Sequence, residues 1–161
     1  MILVLDSSSL ITLSRTGDLE LLQQYAEAAH VPQAVYDEVV GAGVDLPGRR
    51  AVESAQWIVR HPVHDQDAVA RLRGRLGRGE AEAIVLAKEL HADHVILDDA
   101  TARRIAEIEG CHVLGLLGLL VHAKERGVIP AVRPVLDRIL AAGFYLDDKL
   151  YRSILRSSRE E

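Results

Sequence analysis

The chain has 161 residues, with 24 Asp and Glu against 19 Lys and Arg, for a formal net charge of −5 with histidines neutral. That is the length of one domain, expected to span residues 1–161, and enough to bury about 70% of the surface its unfolded form exposes without a disulfide or metal staple. Hydrophobic residues at 48% and charged residues at 27% exclude an intrinsically disordered chain, and the acidic balance argues against holding nucleic acid by bulk charge while leaving open a protein that cuts it.

The longest apolar run, Val113 to Val121, has nine residues, against the roughly 20 needed to span a bilayer. The N-terminal MILVLD lacks a basic region and reaches an acid at Asp6, so it does not read as a signal peptide. Cys111 is the single cysteine, and the expected location is the cytoplasm, with no membrane partner.

Taken in chain order, Ile2 to Leu5 is a continuous apolar run that reads as a strand buried on both faces. Thr16-Gly17-Asp18 supplies cap chemistry for a helix running to about Ala29, with Leu19, Leu22, Tyr25 and Ala26 at three-and-four spacing. His30-Val31 is extended, and Pro32 fits the first helical position of a segment carrying Val35, Glu38 and Val39, which Gly41 to Gly48 ends. A strand is expected at Trp57 to Val59, then a helix capped by Asp65 or Asp67 and running through Arg75. Glu80 to Leu90 is built of strong helix formers, and His94 to Leu97 is a strand ending on Asp98-Asp99. A helix through Glu109 follows, then a strand at Cys111 to Leu114. Helices over Leu116–Arg126, Pro130–Ala142 and about Asp147–Arg156 complete the chain. This alternation predicts right-handed βαβ crossovers and an α/β fold, a parallel sheet between two layers of helices.

In open parallel sheets ligands bind beyond the carboxyl ends of the strands, and here those positions carry acids. Asp6 follows the first strand and Asp98-Asp99 the fourth, while Glu38 and Glu80 lie near helix starts. Glu80 shares a helical stripe with Ala83, Ile84, Ala87 and Leu90, where an acid is costly unless neutralised by a partner or a cation. Glu82 falls off that stripe, beside Glu89, and reads as solvated. If Asp6, Glu38, Glu80 and Asp99 converge, four carboxylates in one pocket either raise their pKa values or take up cations. Oxygen-only ligands in that number suit one or two Mg²⁺ or Mn²⁺ ions, able to clamp a phosphodiester and activate a water. Each acid taken alone is also an ordinary cap or solvated residue.

DSSSLITL from Asp6, VPQAVYDEV through Glu38 and Val39, GRGEAEAIVLAKEL and ILDDATARRIAE together resemble a PIN domain. The closing stretch from Gly115 to Leu155 is similar to a prokaryotic subgroup of PIN proteins related to VapC-type toxins. The resemblance covers nearly the whole chain and implies a three-layer α/β/α fold with a parallel sheet of about five strands. It implies an Mg²⁺- or Mn²⁺-dependent ribonuclease, frequent homodimers, and often a small antitoxin protein as partner. By position, Asp6 matches the first PIN acid, Ser8 the small polar residue that supports it, Glu38 the second acid, Glu80 the third, and Asp99 the fourth, with Asp98 the adjacent alternative. Two features depart from the toxins: the third acid is Glu where they often carry Asp, and ATARRIAE replaces the Asn/Asp-x-x-Phe ending.

Arg71, Arg73, Arg75 and Arg78, just before Glu80, are candidates for RNA phosphate contact. So are Arg49, Arg50, Arg103 and Arg104, the alternative being a solvated helix face and, for Arg103 and Arg104 one turn after Asp99, pairing with acids. Only 4% of residues are aromatic, against a base-stacking platform. His61 with His64 and His91 with His94 invite a zinc reading that a single cysteine does not support. Val113 to Val121 reads as a buried strand plus helix, or as a dimer face. A non-catalytic module that binds RNA or a protein is the competing function, favoured if Glu80 or Asp99 points away from Asp6.

Overall fold

The computed structural model describes residues 1–43 and 46–161. Val44 and Asp45, inside the Gly41–Gly48 stretch expected to end a helix, lie outside them. Among the described residues, five parallel strands form one sheet, flanked by ten α-helices in a three-layer α/β/α arrangement. The strands are β1 (Leu3–Leu5), β2 (Ala29–Pro32), β3 (Ile58–His61), β4 (His94–Ile96) and β5 (Val113–Leu114), in the order β3-β2-β1-β4-β5. The first three step outward from β1 to one side, and the chain then crosses to the other side for β4 and β5. The switch in direction therefore falls between β1 and β4, where a crevice opens at the strands' carboxyl ends.

The alternation of side chains along β1 and β4 divides the core. Leu3, Leu5 and Ile96 face one layer, made by α1 (Ser7–Thr16), α2 (Glu20–Ala26), α3 (Gln33–Glu38), α4 (Leu46–Ser54), α8 (Leu116–Glu125), α9 (Arg133–Ala141) and α10 (Asp148–Ser157). Val4, Val95 and Leu97 face the other, made by α5 (Gln66–Leu72), α6 (Arg78–Glu89) and α7 (Ala100–Ile108). Leu116, Leu119 and Leu120 are fully buried in the first layer, so much of the Val113–Val121 run serves this chain's own core. No helix among the described residues is long and apolar enough to cross a membrane.

Several elements differ from the sequence expectation. Gly17 closes a helix rather than opening one: it takes φ 79° and its N–H returns to the Leu13 carbonyl, ending α1. The segment expected to run to Ala29 is the shorter α2, and Ala29 instead begins β2. Pro32 is the last residue of β2 and caps α3 from outside, rather than occupying its first turn. A wider π-type turn at Val39–Gly43 continues α3, and α4 stands where no element was expected. The helix capped by Asp65 ends at Leu72, leaving Arg73 and Arg75 in the approach to α6.

Candidate functional site

β1 pairs with β4 so that Leu5 lies opposite Ile96. Running both chains onward puts Asp6 beside Leu97 and brings Asp98 to the edge of the crevice one residue later. Asp6 is buried, only 4% exposed, and caps α1 by accepting the Ser9 N–H at a long 3.5 Å. Asp98 is half-buried. It accepts the Ser9 hydroxyl on one carboxylate oxygen at 3.1 Å and the Leu116 N–H, from the start of α8, on the other at 2.9 Å. Ser9 therefore joins the acid after β1 to the acid after β4.

The other two acids arrive from helix ends. Glu80 sits in the first turn of α6, half-buried, with one oxygen accepting the Gly77 N–H at 3.3 Å. Glu38 ends α3 and is exposed; its Oε2 lies 3.4 Å from where a Cβ on Gly79 would stand. Glycine at 79 thus lets α6 begin close under Glu38.

The four acids are coupled electrostatically. Burial, followed by the charges of Asp98, Glu80 and Glu38, pushes the Asp6 carboxyl up from its ordinary 3.8 to about 7, the Ser9 N–H offsetting only part of this. Asp6 thus carries a charge that the protein itself leaves largely uncompensated. No three Asp, Glu, His or Cys side chains among the described residues are drawn in to the spacing of a closed coordination shell. The donor set is nonetheless all oxygen and concentrated at one crevice, which fits a hard divalent cation such as Mg²⁺ or Mn²⁺ and does not fit a thiolate- or imidazole-seeking metal.

Three sequence expectations change place here. Asp99 is exposed and caps α7, its carboxylate accepting the Ala102 N–H at 2.9 Å, and it is not among the charges acting on Asp6; Asp98 is. Ser8 is exposed, and its bond is a backbone one, its carbonyl accepting the Thr12 hydroxyl, whereas Ser9 is fully buried and donates to both Asp6 and Asp98. Asp6 as the cap of a helix starting at Ser7 would have pointed to Ser9, because a cap's oxygen meets the N–H three residues on. Glu82, expected to be solvated, is 4% exposed and paired with Arg78 at 3.3 Å. The wheel misled because α6 is buried on nearly all sides from Ala81 to Ala87, so no solvated stripe exists there.

Of the arginines, Arg78 is engaged by Glu82 and Arg49 approaches Glu53 at 3.9 Å, while Arg71, Arg73, Arg75, Arg103 and Arg104 are exposed. The histidines pair differently from the zinc reading: His30 Nδ1 meets His61 Nε2 at 2.9 Å across β2 and β3, and His94 stands edge-on to His122. A groove of about 590 Å³ adjoins Glu38, lined also by Asp37, Glu82, Gly79, Arg78 and Gln33 among others.

A search of curated proteins returns no significant match. A family profile described as a PIN domain matches residues 2–160. PIN domains are a nuclease-type fold, hydrolases in general, and they typically use divalent metal ions. With the profile spanning almost the entire chain and the parallel sheet placing acids at its switch point, this protein belongs to the PIN-domain family.

Proposed function

We propose that this protein is an endoribonuclease that hydrolyses RNA phosphodiesters with one or two Mg²⁺ or Mn²⁺ ions, held by Asp6, Glu38, Glu80 and Asp98. The observation that carries this reading is Asp6: a buried carboxyl pushed to about 7 by its burial and by three neighbouring acids. Apart from one long capping bond to α1, the fold offers this carboxylate nothing that offsets its burial, and a cation would do so. When bound, the divalent ion lowers the pKa of its water and stabilises charge on the phosphate oxygens.

The chain's own residues do the rest. Asp6 would have to be deprotonated to hold the cation, so occupancy would weaken below about pH 7. Ser9 and the Leu116 N–H hold Asp98 in one orientation and leave its remaining lone pairs for the ion. The Gly77 N–H fixes one Glu80 oxygen, and Gly79 keeps α6 low enough for Glu38 to lean across. The groove beyond Glu38 gives the RNA strand a way out of the pocket. Asp99 caps α7 away from Asp6, the placement that by itself favours the non-catalytic module; the catalytic reading rests on Asp98, the adjacent alternative, standing beside Asp6 in its place.

The test is cleavage of a mixed RNA pool by purified protein with Mg²⁺, with Mn²⁺ and in EDTA, beside the Asp6→Asn variant. We expect metal-dependent cleavage, reduced more than about a hundredfold by the substitution. Equal RNA loss from both proteins would sink the assignment.

The resemblance to VapC-related proteins adds a toxin role, with a small antitoxin as partner, a homodimer and a cytoplasmic setting. Expression should arrest growth, and an adjacent small reading frame should relieve the arrest; no growth effect from either would count against the toxin role. Light scattering at micromolar concentration checks the dimer, which a monomeric mass would exclude.

A further inference from the structure

We propose that Arg103 is the RNA-positioning cation of this site, gripping a phosphate beside the scissile one on the β4–β5 side of the crevice. The proposal rests on the ribonuclease reading above and adds to it a residue and a direction for the strand.

Gly115 carries the argument. It stands between β5 and α8 with φ −84° and ψ 166°, extended backbone that any residue adopts, so its backbone does not require glycine. What the position shows is proximity: the place a Cβ would fill is where the far end of the Arg103 side chain and the Asp98 carboxylate come together. A Cβ there would lie 2.8 Å from Arg103 Nη1 and 3.4 Å from Asp98 Oδ1. The missing side chain lets the guanidinium from α7 lie against the backbone beside a carboxylate of the acid cluster.

That guanidinium is not consumed. Asp98 takes its hydrogen bonds from Ser9 and Leu116 instead. Among the described residues, the Arg103 side chain forms no hydrogen bond or ion pair within ordinary limits; only its backbone N–H is engaged, by the Asp99 carbonyl. Arg78, the other arginine near the acids, is engaged by buried Glu82. Arg103 is exposed and reaches the cluster beside Asp98, the two meeting at the position a Gly115 Cβ would fill. An exposed planar fork with unused donors, held next to anions it does not bind, matches a phosphate brought in by a ligand. RNA entering an acidic pocket needs such a cation, because the metal alone serves only the reacting phosphate.

The simpler role, an arginine that only tempers the Asp98 charge, makes a different forecast. It would change metal affinity as much as RNA affinity. On the Asp6→Asn background, where RNA is not consumed, binding of a short fluorescent single-stranded RNA is measured in Mg²⁺ by anisotropy across a salt series. Adding Arg103→Gln should weaken binding about tenfold at low salt and reduce the slope of log K against log salt by about 0.7. Arg103→Lys should restore the slope without the full affinity. Gly115→Ala, whose Cβ crowds only the movable end of Arg103, should weaken binding by less than Arg103→Gln and leave the slope unchanged. In the otherwise unaltered protein, Arg103→Gln should leave the Mn²⁺ dependence of thermal unfolding unchanged.

An unchanged RNA affinity and slope in Arg103→Gln overturns the proposal, and so does a shift in Mn²⁺ affinity as large as the shift for RNA. If RNA binds and responds to Arg103 while the unaltered protein cleaves nothing, the nuclease reading fails and the phosphate contact stands. No RNA binding at all overturns the contact independently of cleavage.

Discussion

Two acids in this protein are treated in opposite ways. Asp6 is buried beside Asp98, Glu80 and Glu38 with one long backbone donor, and its carboxyl rises to about 7. Glu160, near the C-terminus, is also largely covered, and burial alone would raise it. The Val132 and Arg133 N–H groups at 2.7 and 3.1 Å and the Lys124 ammonium at 3.2 Å outweigh that and hold it at about 2. Glu160 satisfies the exposed N–H groups at the start of α9 and ties the last residues of the chain to α8 and α9. Where the fold uses a carboxylate for its own integrity it surrounds the charge with donors. At Asp6 it supplies one long donor against three neighbouring acids, a cost that a cation would remove.

The contrast makes opposite pH arms. A raised carboxyl binds protons more tightly in the folded state, so in EDTA the Asp6 contribution lowers stability as pH climbs from about 4 to about 7. A depressed carboxyl does the reverse: the Glu160 contribution is complete above about 4.5 and is lost as pH falls toward 2. The largest expected effect is therefore on the alkaline arm. Asp6→Asn, which keeps a good helix cap, should be more stable than the parent in EDTA at pH 8 by on the order of 4 kcal/mol. It should match the parent near pH 4 and gain no stability from Mn²⁺. Chemical denaturation across pH measures this; a variant less stable than the parent at pH 8 would break the comparison.

Next is the acid arm. Glu160→Gln should cost about 2 kcal/mol at pH 7, because charge-assisted bonds to two N–H groups and a lysine are lost, and almost nothing at pH 2. The same denaturation series tests it, and an unchanged midpoint at pH 7 would show that the C-terminal clamp does not hold. The smallest effect belongs to Ser9→Ala. Losing one hydroxyl bond to Asp98 should change stability by about 1 kcal/mol but weaken Mn²⁺ binding about tenfold, since the carboxylate is no longer held in place. Calorimetric titration with Mn²⁺ would expose the opposite result, a stability loss with metal affinity intact.

Much of this arrangement was legible in the residues. Buried strands announce themselves as short apolar runs, and the acid that ends Ile2–Leu5 needed only the general rule for parallel sheets to become a candidate. Glu38 and Glu80 were legible through their motifs. Ser8 and Asp99 were placed by the family resemblance and Glu82 by the helical wheel; the structure gives Asp99 a local cap on α7, joins Ser9 to Asp98 across 89 residues, and encloses Glu82 within α6 and its neighbours.

The sequence by itself determined the alternation of strands and helices, the parallel sheet and the supply of acids at its edge, because hydrophobic period and cap chemistry are local properties. Only the tertiary structure decided which of two adjacent aspartates enters the crevice and which serine binds it. Those choices follow from the β1–β4 register, in which Leu5 lies opposite Ile96. Side chains one residue apart point in different directions, so a pairing made across the sheet selects between neighbours that look equivalent in the chain.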